Sequence, residues 1–148
     1  MNQKGLTLME LVVVMAIIAI GAVLATPNIG AWIPNYRLRG VTREIVSVMR
    51  TAQIKSVSTN AWYRVTFEPA SRRYFIESSQ DFGANWVKEG EYLTLPNGIN
   101  ISLTTFAGGV AVFYPNSSAT NGSVTLVNTK GSQKTVHLLG TTGRIKHE

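Results

Sequence analysis

One carboxylate stands apart from every other ionisable group in the chain. Glu10 falls inside residues 6–25, a run in which only Thr7, Glu10 and Gly21 are not plainly apolar. An ionised carboxylate within an apolar helix costs about 3 kcal/mol when lipid surrounds it. Such a charge is retained when a partner neutralises it, and this run contains no basic residue to do so. The chemistry it points to is an ion pair with a cation supplied from elsewhere.

The remaining groups with catalytic potential do not converge on a site. His137 falls in a predicted strand and His147 in the final residues, neither with a carboxylate at a useful offset. No Ser-His-Asp, zinc-binding or phosphate-loop pattern is present. Glu68, Glu77, Asp81, Glu89 and Glu91 are scattered over predicted turns and strand edges and read as solvated. Trp62, Trp86 and the other aromatic residues read as core and strand-pairing positions. The chain has no cysteine, which removes disulfides, thiolate metal sites and Cys nucleophiles together. The expectation is a protein without cofactor or metal, and not an enzyme.

Fourteen Lys and Arg against eight Asp and Glu give a formal charge of +6. That balance suits a polyanionic partner or simply a soluble surface. Part of that excess is Arg144 and Lys146, with Lys130 and Lys134 upstream, towards the end of the chain. The simpler reading is preferred: a closing strand whose alternate residues, Arg144 and Lys146, face water.

These residues need elements to position them. A helix of about 20 residues spans the roughly 30 Å hydrocarbon core, and residues 11–20 are apolar all round, as lipid or a helical bundle requires. A secretory signal peptide would have a longer basic start and a small-residue cleavage site. An ordinary anchor would leave Glu10 unpartnered. Beyond the run, Pro27, Gly30 and Pro34 predict a kink or melted turn. Over residues 36–58, Leu38, Val41, Ile45, Val48 and Ala52, with Met49 beside them, recur at helical spacing. Arg39, Arg43, Ser47 and Arg50 fall on another face, which reads as solvated or in contact with acidic patches of an assembly. Strands are predicted at 62–68, 74–78, 86–88, 92–95, 99–103, 110–114, 123–127, 135–139 and 144–146, with Gly and Pro between them. A helix followed only by strands implies an α+β fold with antiparallel pairing.

The string Lys4-Gly5-Leu6-Thr7-Leu8-Met9-Glu10-Leu11 resembles the class III leader of type IV pilins and type II secretion pseudopilins. The resemblance implies cleavage by prepilin peptidase after Gly5 and N-methylation of the new terminus, Leu6. It also implies that Glu10 neutralises the terminal amine of a neighbouring subunit, which is the cation the run lacks. Residues 37–53 and 62–67, Val112-Phe113-Tyr114-Pro115, Gly122-Ser123-Val124-Thr125-Leu126 and Thr142-Gly143-Arg144-Ile145-Lys146 resemble the GspH/FimT group of minor pseudopilins, thought to sit at or near filament tips. The implied organisation is a leader (1–5), a transmembrane and assembly helix (6–34) and a pilin-like globular domain (35–148). In that domain an amphipathic helix (36–58) packs on an antiparallel β-sheet region (61–146). The implied partners are prepilin peptidase, other pilin or pseudopilin subunits and inner-membrane lipid. The implied location is a single pass of the bacterial inner membrane, C-terminal domain periplasmic, then a filament. Gly143-Arg144-Ile145-Lys146 is also similar to the Gly-Arg-x-Arg segment that some FimT-like competence pilins use on phosphate. The alternative is therefore a DNA-binding tip subunit using Arg144, Lys146, Lys130 and Lys134, although Lys146 lacks the bidentate fork of arginine.

Overall fold

The structure is a computed structural model that describes residues 7–24 and 29–148. It divides into two units, Met1–Trp32 and Ile33–Glu148. The cleavage residues Gly5 and Leu6, and the break expected at Pro27, lie outside the described residues.

In the first unit, helix α1 runs over Leu8–Leu24. Thr7 starts it, its hydroxyl accepting the Glu10 N–H at 3.3 Å and its carbonyl accepting from Glu10 and Leu11 at 3.1 and 3.2 Å. Thr7 is thus an N-cap and Glu10 the third helical residue, the Thr-x-x-Glu arrangement of a capping box. The apolar side chains of α1 from Leu8 to Val23 are exposed. At 17 residues α1 is about 25 Å long. Among the described residues no helix is long and apolar enough to cross a membrane.

Helix α2 spans Ile29–Thr59 and contains Pro34. The break expected at Pro34 does not occur. The proline lies close to the first turn, where it removes only one ladder bond beyond donors that have no intrahelical partner anyway. Asn60, at φ +51°, ends the helix in the left-handed conformation that an asparagine tolerates. The predicted stripe is buried at Leu38, Val41, Ile45, Met49 and Ala52, while Val48 is half-buried. Val46, Thr42 and Ser56 are buried as well. The two hydroxyls reach the core because each bonds within α2, Thr42 to the Leu38 carbonyl at 2.7 Å and Ser56 to that of Gln53 at 2.8 Å.

Eight strands follow: β1 (Trp62–Glu68), β2 (Arg73–Ser79), β3 (Val87–Thr94), β4 (Ile99–Thr104), β5 (Val110–Phe113), β6 (Gly122–Asn128), β7 (Gln133–Leu139) and β8 (Arg144–His147). They form two antiparallel four-stranded sheets, β3-β2-β1-β5 and β4-β6-β7-β8, where the sequence had suggested one sheet region. The strands predicted at 86–88 and 92–95 are a single strand, β3. Gly90, at φ +73°, lies in a bulge between the Tyr74–Leu93 and Ile76–Glu89 pairs, so the Glu-Gly-Glu interruption bends the strand without ending it.

Arg72, in the β1–β2 turn, holds the passage from one sheet to the other. Its Nη2 donates to the Pro96 carbonyl at 2.8 Å, and its own carbonyl accepts the Leu95 N–H at 2.8 Å. A single core contains side chains of α2 and of both sheets, among them Ile45 and Met49, Val65 and Phe113, Val124 and Leu138.

Candidate functional site

Two regions bear on function: the start of α1 and a basic groove at the far edge of the second sheet. At the first, Glu10 is exposed, and among the described residues no basic side chain pairs with it. Its backbone position has a local reason, the Thr7 cap, that sequence reasoning missed although Thr-x-x-Glu before an apolar run is its signature. That role uses the Glu10 N–H and leaves the carboxylate free for another partner.

The second region is built on β8, which among the described residues pairs with β7 alone. Thr135 and Glu148 exchange both N–H···O bonds, at 3.2 and 3.0 Å. In an antiparallel ladder the bonded pairs recur every second residue. Lys146 and Arg144 therefore bond across to His137 and Leu139, while the backbone N–H and C=O of Ile145 and His147 point away from the sheet. Side chains alternate in the other dimension. Ile145 and His147 share the face of buried Leu138 and Val136, toward the core, and Arg144 and Lys146 share the opposite face with His137.

A cavity of about 540 Å³ lies along this edge, lined by Arg50 and Gln53 of α2 and by Thr142 through Glu148. A second, of about 240 Å³, is lined by Arg39, Thr42, Arg43, Lys134 and again His147. The four cations proposed from sequence thus divide. Arg144 and Lys146 lie together on the outer face of β8. Lys134 has the strand parity of Val136 and lies with the α2 arginines. Lys130 is exposed in the β6–β7 turn, where Asn128 Oδ1 accepts its N–H at 2.9 Å, and lines neither cavity. Lys130 and Lys134 do not extend the Arg144–Lys146 face, because strand parity and the turn separate them.

The acidic residues read as solvated are mostly paired. Glu77 accepts from Arg64 Nε and Thr66 Oγ1, both at 2.6 Å. Burial pushes its carboxyl upward, but these two bonds outweigh it and hold it below the usual range. Glu89 accepts from Lys55 Nζ at 2.6 Å and Tyr63 OH at 2.9 Å, and the balance against burial is also downward. Glu68 pairs with Arg73 at 2.6 Å. Among the described residues Asp81 pairs with no cation. Its carboxyl is held at about 2 by the Ser79 hydroxyl first and then by the Asn85 N–H and side-chain amide. Trp62 and Trp86 are half-buried, not core. Trp62 meets Tyr114 edge-on at 4.7 Å, and Trp86 lies under the Arg64 guanidinium at 4.2 Å. None of these groups forms a catalytic constellation, and among the described residues no group of three metal-ligating side chains is present.

Residues 1–26 match the prokaryotic N-terminal methylation motif. The chain carries the prepilin-type motif ahead of a pseudopilin fold. The fold is similar to that of the minor pseudopilin EpsH from the type 2 secretion system of Vibrio cholerae. One EpsH structure aligns at TM-score 0.62 and 12% identity, over 76% of this chain and 96% of that one. A second EpsH crystal structure aligns at TM-score 0.63 and 10% identity, over 76% and 95%. Comparison with curated proteins finds no match. The EpsH alignments concern shape. The methylation motif concerns the segment that contains Thr7 and Glu10.

Proposed function

We propose that this chain is a minor structural subunit of a pilin-like filament, of the type II secretion or type IV pilus kind, and not an enzyme. One observation carries the reading: a methylation motif over residues 1–26 is joined to a globular unit with the minor-pseudopilin fold. Prepilin peptidase cuts after Gly5, and Leu6 becomes the methylated terminus. Glu10 then takes the terminal amine of a neighbouring subunit, the cation its own run lacks. The run 6–25 anchors the leader-free chain in the inner membrane, with the globular domain (35–148) on the periplasmic side, before filament entry. The all-round apolar, exposed surface of α1 favours lipid or other apolar helices around it. Mass spectrometry of the chain from cells with and without prepilin peptidase tests this. The expected mature form begins at methylated Leu6; retention of Met1 in peptidase-competent cells overturns the reading.

DNA binding at a competence pilus tip is the second reading. It is favoured by Arg144 and Lys146, which are exposed on one strand face and, among the described residues, free of ion pairs. The division of Lys130 and Lys134 from that face weakens it, since one phosphate track does not meet all four cations. A mobility-shift assay at low salt, repeated with Arg144→Ala and Lys146→Ala, tests it. Absence of a shift removes this reading.

A further inference from the structure

We propose that the edge of β8 is a docking slot for an extended acidic segment of a partner protein, which adds to the sheet as a fifth strand. The inference concerns the globular unit alone and holds whether or not the N-terminal segment is processed.

The first observation is the free edge. Among the described residues β8 has no outer neighbour, and the ladder phase directs the N–H and C=O groups of Ile145 and His147 outward. Exposed edges are templates for strand addition unless something covers them. Here the adjoining space is the cavity of about 540 Å³ beside Arg50 and Gln53, and among the described residues no segment fills it.

The second observation is the charge on both sides of that edge. A strand added beside β8 would turn alternate side chains toward the outer face, beside Arg144 and Lys146. The intervening ones would turn toward Arg50 on α2. Arg50, Arg144 and Lys146 are exposed and form no ion pair among the described residues. Cross-strand pairs of opposite charge favour one another directly and on the diagonal. Beyond His147 the second cavity continues the positive lining with Arg39, Arg43 and Lys134. The slot therefore selects an extended chain by its backbone and an acidic one by its side chains.

Nucleic acid has the charge but no backbone donors and acceptors at strand spacing, which separates the two ligands experimentally. The full chain is held in neutral detergent micelles at low salt. It is titrated with a labelled peptide of about eight residues alternating Glu and Val, a short polyacrylate with as many carboxylates and no amides, and a thymidine oligonucleotide of similar length. The peptide is expected to bind about tenfold tighter than either control and to slow amide exchange at Ile145 and His147. Arg144→Glu with Lys146→Glu weakens the peptide by a similar factor. So does Ile145→Pro, which removes an outward N–H and no ladder bond. If that proline disturbs folding, the exchange measurement on the unaltered chain still decides. Polyacrylate or oligonucleotide binding as tightly as the peptide, unchanged exchange at both amides, or no peptide binding at all overturns the proposal.

Discussion

Gln53 donates from Nε2 to the carbonyl oxygen of Gly143 over 3.0 Å, so α2 sets the turn from which β8 departs. Gly143 is at φ +59°, and a Cβ there would meet Gln53 Nε2 and the Ser117 carbonyl at less than contact distance. Gly143→Ala therefore combines left-handed strain with a clash against backbone, at a cost of about 2–4 kcal/mol. Gly131, at φ +79° with open space around it, is the control: Gly131→Ala costs about 1 kcal/mol. Urea midpoints of the two variants measure the difference, and equal losses would show that Gln53 and Ser117 yield freely.

The place of Glu10 at the start of α1 is separable from the assembly role proposed for its carboxylate. Thr7→Ala removes the hydroxyl that accepts the Glu10 N–H and weakens the start of α1 by about 0.5–2 kcal/mol, read as faster amide exchange over the first helical turn. Glu10→Gln keeps a side chain suited to the third position of a capping box and removes only the charge. The expected outcome is an intact helix start with impaired entry into the filament. Normal filament entry by Glu10→Gln would remove the charge pair from the assembly mechanism.

The loop between β2 and β3 is acid-sensitive. The Asp81 carboxyl accepts from Ser79 Oγ at 2.6 Å and from the Asn85 N–H at 2.9 Å, and it is held at about 2 against an ordinary 3.8. A depressed value means the folded loop prefers the ionised form. This contribution is complete above the unfolded value and is lost as pH falls from about 3.8 through about 2. Fluorescence of Trp62 and Trp86, which flank the loop at Gly83, should change in that window. Asp81→Asn should abolish that step.

Much of this arrangement is legible in the sequence. The three-and-four spacing of Leu38, Val41, Ile45 and Ala52 located the buried face of α2, because one core faces one stripe. The Gly and Pro punctuation located the strands. What local pattern does not carry is pairing at a distance. Nothing in the runs at 99–103 and 110–114 says that β4 and β5 belong to different sheets. The same limit hid the parity of Lys134 against Arg144 and Lys146, since faces follow from register and register from pairing. Thr42 and Ser56 were passed over because a hydroxyl in a core position reads as polar until its bond to the preceding turn is seen. The Glu-Gly-Glu of β3 read as a break for a related reason: a bulge and a turn use the same residues.

Ile45 is fully buried, and Ile45→Ala leaves a cavity where one helix meets the core, at an expected cost of about 2–4 kcal/mol. Urea denaturation measures it. A loss below about 1 kcal/mol would show that the site collapses around the smaller side chain.

The position of α2 has a consequence for how the globular unit comes apart. The helix bonds to β3 through Lys55–Glu89 and to the residue after β5 through Ser56–Tyr114, and it bonds to β6 through Asn35–Asn128 and to the turn before β8 through Gln53–Gly143. It is a shared keel: both sheets rest on the one buried stripe of α2, so removing either exposes apolar surface that the other also needs covered, and neither comes apart alone. The two sheets should melt in one calorimetric transition whose enthalpy matches the van't Hoff value.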